Sequence, residues 1–87
     1  MKRNKNFIKR EVAGKQVAVP VGKAAASFPG MITLNETASL LWELLEQEQT
    51  EETLIAALRE RYDVSEEQAL ADIRAFAEKL QKIGALE

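Results

Sequence analysis

The stretch MITLNETASLLW, residues 31–42, holds a short strand, a helix start and the first apolar stripe of that helix. Met31, Ile32, Thr33 and Leu34 follow the breaker pair Pro29-Gly30 and read as extended. Asn35 is among the best N-cap residues, because its side-chain oxygen accepts from an otherwise orphaned backbone N–H. Thr33 and Glu36 also stand at capping-box spacing, which leaves an earlier helix start open. Ala38, Leu41, Trp42 and Leu45 then recur at helical spacing and form one apolar face. A strand that runs straight into such a helix brings sheet and helix into contact. Leu34, Ala38, Leu41, Trp42 and Leu45 are therefore expected in the core, with Trp42 as a packing anchor.

Upstream, the sequence reads as a hairpin. Residues 1–6 are charged and expected to fray. Phe7–Val12 is extended, with Ile8 and Val12 on one side and Phe7 on the other. Gly14 supplies the positive φ of a tight turn. Val17, Val19 and Val21 alternate on one face. Pro20 lacks a donor and belongs at a strand end or edge. Residues 22–30 read as a loop in which Ala24, Ala25 and Ala26 allow one helical turn. The expected sheet has three antiparallel strands, all from the first 34 residues.

Downstream, three helices are expected. The first covers about residues 35–46. Thr50 is a plausible N-cap for the second, with Glu51 and Glu52 in the first turn, where negative charge suits the helix dipole. Leu54, Ile55, Leu58 and Tyr62 form its apolar side. Asp63-Val64 is a turn, and Ser65 with Gln68 has capping-box spacing for the third helix. Ala69, Ile73, Phe76 and Leu80 form that helix's main apolar line, and Gly84 stands near its C-cap. Leu70 and Ala77 flank the line and widen the arc. Two readings of this width stand: a helix packed on several sides, or an arc partly left open as a groove wall. The fold class is thus α+β, a small three-stranded antiparallel sheet followed by three helices.

Length and composition narrow the function. With 87 residues the chain fits one domain, and such a domain buries roughly 60–65% of its unfolded surface. A composition of 46% hydrophobic and 30% charged residues is that of a globular protein. There is no cysteine and no histidine, which excludes disulfides, thiol chemistry and histidine acid–base work. No apolar run approaches the ~18–20 residues of a membrane span, and no secretory h-region follows the basic start. A cytoplasmic protein is expected. Residues 1–30 carry seven Lys/Arg and one Glu, whereas residues 31–87 carry five Lys/Arg and thirteen Asp/Glu. This asymmetry fits a solvated basic strand layer, or one that attracts an acidic partner.

No catalytic constellation stands out. Ser27, Ser39 and Ser65 have no histidine to activate them. Glu51-Glu52 and Glu66-Glu67 are first-turn helix charges. No phosphate loop or calcium loop occurs. No enzyme, metal or cofactor is expected, and the remaining hypotheses concern binding.

The order of elements and several short words resemble a known family. VPVGKAA, then FPGMITLNETASLLWELL, then TEETLIAALRERYDVSEEQALADIRAFAEKLQKIGAL are similar to the pyrroloquinoline quinone biosynthesis protein D (PqqD) family. The most specific parts are Leu34-Asn35-Glu36-Thr37 followed by Trp42, and the Tyr62-Asp63-Val64 corner. The resemblance implies a fold like a winged helix and a role as a peptide recognition element. Such proteins bind the leader of a ribosomally made precursor peptide and present it to a modifying enzyme, commonly a radical S-adenosylmethionine (SAM) protein. In the family the leader adds a strand to the third strand and packs against the third helix. Carried onto this chain, the edge is Gly30, Met31, Ile32, Thr33 and Leu34. Helical spacing supplies Leu70, Ile73, Arg74, Ala77 and Gln81 as candidates for the helix wall.

Two other readings fit some of these features. A winged-helix nucleic-acid binder suits the element order and the basic N-terminal layer. Against it, Glu66, Glu67 and Asp72 make the start of the third helix acidic, which opposes phosphate contact. A homodimer formed by strand exchange through the 22–30 loop is the third reading.

Overall fold

The computed structural model describes residues 1–23, 25 and 31–87. Gly30 and most of the expected 22–30 loop lie outside the described residues. Three strands come first: β1 (Phe7–Val12), β2 (Lys15–Pro20) and β3 (Ile32–Leu34). Three helices follow: α1 (Glu36–Leu44), α2 (Glu51–Arg61) and α3 (Glu66–Lys82). The sheet is antiparallel in the order β1-β2-β3.

Local chemistry explains the boundaries. Ala13 and Gly14 both take positive φ, 53° and 80°, and make the two-residue turn between β1 and β2. Asn35 is the N-cap of α1, with its side chain accepting from the Ala38 N–H at 2.8 Å. The start at Thr33 is thereby set aside, since Thr33 remains in β3. Thr50 and Thr53 cap α2 reciprocally, and Ser65 accepts from the Gln68 N–H at 3.0 Å to start α3. Gly84, at φ 76°, ends α3 in a Schellman motif. Its N–H donates to Gln81 O and the Ala85 N–H donates to Leu80 O.

The strand register decides which face is core. Lys9 pairs with Ala18, and Ala18 pairs with Ile32. Ala18, Ile32 and Leu34 join the central cluster, together with Phe7 from β1. Leu41, Trp42 and Leu45 meet them from α1 and the residue after it; Leu54 and Leu58 come from α2, and Ala69, Ile73, Phe76 and Leu80 from α3. Trp42 is 1% exposed and is the largest fully buried side chain. The valine face is the other side of the sheet: Val17 pairs with Arg10 and Thr33, and it stands outside the cluster.

Residues 1–6, read in sequence as a fraying terminus, make specific contacts here. Arg3 bridges to Leu86, donates from Nε to Trp42 O at 2.8 Å, and lies 5.0 Å above the Trp42 ring. The Asn4 N–H donates to Ala85 O at 2.8 Å, and the Asn4 amide also bonds Gly84 O. The arm therefore ties the α3 terminus to the end of α1.

Candidate functional site

β3 pairs with β2 on one side, and among the described residues no strand pairs with its other side. An unpaired strand presents backbone N–H and C=O groups that another extended chain can satisfy. Along this edge Met31 is 55% exposed and Thr33 is exposed, while Ile32 and Leu34 turn inward. The alternation is what a strand with one buried face requires.

Beside this edge lies a cleft of about 340 Å³. β3 and the cap contribute Ile32, Thr33 and Asn35; α1 contributes Thr37, Ala38 and Leu41; α3 contributes Asp72, Ala75, Phe76 and Lys79. No β2 residue lines it, so it opens on the unpaired side of β3. Its floor is apolar and firm. Leu41 and Phe76 are buried core residues, and Ile32 is 9% exposed. Ala38 and Ala75 are short, which leaves the room. The rim is polar, with Asp72 accepting a hydrogen bond from Gln68 at 2.9 Å. The site thus joins a hydrogen-bonding edge to an apolar trough, the two surfaces an added strand needs.

The sequence-derived residues fall into two groups. Ile32 and Thr33 line the cleft, Leu34 ends the same strand and Met31 immediately precedes it. Leu70, Ile73, Arg74, Ala77 and Gln81 do not line it. Ile73 is sealed in the core at 1% exposure. Arg74 points at α2: its guanidinium donates to both carboxylate oxygens of Glu51, at 3.0 and 3.3 Å. That hydrogen bond, with the opposite charge, lowers the Glu51 pKa and raises that of Arg74. Leu70 and Ala77 are half-buried on the same stripe, and Gln81 is exposed. Asp72, Ala75 and Lys79 were not expected to line a site. The available signal was the i, i+3, i+4, i+7 stripe of Asp72, Ala75, Phe76 and Lys79, in which two charges and an alanine look like an ordinary solvated face.

A second cleft, of about 610 Å³, lies at the other end of β3. Lys15 and Gln16, Leu34, Ser39, Leu40 and Glu43, and Arg61 and Tyr62 are among its walls. The Ser39 hydroxyl is buried there without a hydrogen-bond partner. Lys9 pairs with Glu43, and that contact lowers the Glu43 pKa. Among the described residues, no group of three or more acidic side chains converges to hold a metal ion, and no helix is long and apolar enough to cross a membrane.

Comparison with known proteins adds to this geometry. No curated protein sequence matches the chain significantly. Among solved structures, TbiB1 in complex with the TbiA(beta) leader peptide has the same fold, with a TM-score of 0.78. The two chains are 22% identical over all of this chain and 95% of the other. The sequence profile described as coenzyme PQQ synthesis protein D matches residues 16–86, which takes in β2 from its second residue, β3, the cleft and all three helices. The chain belongs to the PqqD family.

Proposed function

We propose that the protein is a non-catalytic peptide-binding module. It takes the leader segment of a ribosomally made precursor peptide as a further strand on β3 and presents the peptide to a modifying enzyme. The observation that carries this reading is the edge at residues 31–34, unpaired among the described residues, fronting an apolar trough. Main-chain pairing supplies affinity with little demand on sequence, and every second side chain enters the trough. Membership of the PqqD family supports the role, and the leader-bound state of TbiB1 supports the class of ligand. The proposed helix wall is Asp72, Ala75, Phe76 and Lys79 rather than the α2-facing stripe. The receiving enzyme is proposed to be of the radical SAM class, acting in the cytoplasm.

Isothermal titration against leader peptides encoded beside the gene tests this reading. A proline scan through Met31, Ile32 and Thr33 is expected to abolish binding in variants that still unfold cooperatively. Unchanged affinity in every folded variant of the scan overturns the edge assignment. Sedimentation of the peptide-free protein addresses self-pairing through the same edge, because a leader peptide then dissociates any dimer.

A further inference from the structure

The trough carries charge of opposite sign at its two ends. Among the described residues, Asp72 and Lys79 are the only charged side chains that line it. Neither has an ion-pair partner among the described residues. Asp72 accepts only from the neutral Gln68 amide, and Lys79 has no ion pair, whereas Arg74, Lys9 and Lys82 each have a carboxylate partner. Between the two charges, Ala75 and Phe76 line the apolar middle.

We propose that Asp72 and Lys79 select the bound peptide by the order of its charges, a rule that rests on strand addition at β3. Seven residues of α-helix separate the two Cα atoms by about 10 Å along the axis. In an extended peptide, side chains on one face stand ~7 Å apart at i, i+2 and ~13 Å apart at i, i+4. Long basic and acidic side chains span the difference between these spacings. The fitting segment therefore carries a basic residue toward Asp72, a large apolar residue over Ala75 and an acidic residue toward Lys79, at i, i+2 and i+4. A peptide with the charges exchanged meets like charge at both ends. The partner is a dipolar amphipathic segment rather than a uniformly acidic or basic one. Both rim groups are solvent-accessible, so the discrimination is modest, roughly fivefold, and fades in high salt.

The test is selection from a displayed library of random 12-residue peptides against the full chain, the Asp72→Lys/Lys79→Glu double variant, and Ala75→Trp. The wild type is expected to enrich one charge order around an apolar residue, and the double variant the reverse order. Enrichment lost in Ala75→Trp, but with no charge order or with the same order in both proteins, overturns the charge rule and leaves the trough standing. No enrichment by the wild type, or enrichment that Ala75→Trp leaves unchanged, overturns the trough reading and the charge rule with it.

Discussion

The two flanks of α3 have similar compositions and different fates. Leu70, Arg74, Ala77 and Gln81 run down one flank, and Asp72, Ala75 and Lys79 run down the other, with Ile73 and Leu80 buried between them. Each flank mixes alanine with charge. The first is closed toward α2, where Arg74 holds Glu51 at the α2 N-terminus. The second faces β3 across an open trough. What separates them is not their own chemistry but which element arrives beside them. α2 brings a full helix, whereas β3 brings three residues with one edge unpaired among the described residues.

The largest effect is expected where the trough floor and the core coincide. Phe76 serves both, so Phe76→Ala should cost about 3–5 kcal/mol in urea unfolding and remove leader binding together with stability. The flanks can then be separated. Ala75→Trp fills the trough from an exposed helix position; it should weaken leader binding at least about a hundredfold, close to 2.8 kcal/mol, while the urea midpoint moves little. Leu70→Ala, on the opposite flank, should show the converse: about 1–2 kcal/mol of stability lost at a half-buried site, with leader affinity unchanged. If Leu70→Ala impairs binding and Ala75→Trp does not, the two flanks have been assigned the wrong way round.

Smaller effects sharpen the contrast. Ala13 sits at φ 53°, a region disfavoured by about 1–2 kcal/mol for residues with a Cβ. Ala13→Gly should therefore raise stability by about 1 kcal/mol without touching affinity. Arg74→Ala should change little near neutral pH. Glu51 has a native pKa lowered by the Arg74 guanidinium, so its contribution is complete above the ordinary glutamate value of about 4.3. It is lost as pH falls through the lower native value. Acid titrations of the wild type and Arg74→Ala should therefore converge at the acid end, and binding at neutral pH should be equal.

Much of the fold was legible because its signals are local. Asn35, Thr50, Ser65 and Gly84 each mark a helix end through contacts within a few residues, and all four do so in the structure. The edge strand was legible too: a breaker, four extended residues (Met31–Leu34) and an N-cap mark it, and the strand itself covers Ile32–Leu34. Which flank of α3 lines the cleft was not legible, because that depends on the long-range contacts that place α2 and β3. The N-terminal arm was obscured for the same reason. Its residues look like a solvated basic tail, and their contacts with Trp42 and with residues 84–86 join segments far apart in the sequence. In the β2 strand, the valines obeyed their period of two, but the register put Ala18 rather than Val17 into the central cluster.

Backbone amide hydrogen exchange, measured with and without a cognate leader peptide, tests the central claim most directly. Strand addition predicts new protection at β3 within residues 31–34, together with chemical-shift changes at Asp72, Ala75, Phe76 and Lys79. Leu70, Arg74, Ala77 and Gln81 should be unmoved. Protection that appears on the α2-facing flank or around Ser39 and Tyr62, with β3 exchanging as freely as before, contradicts the account.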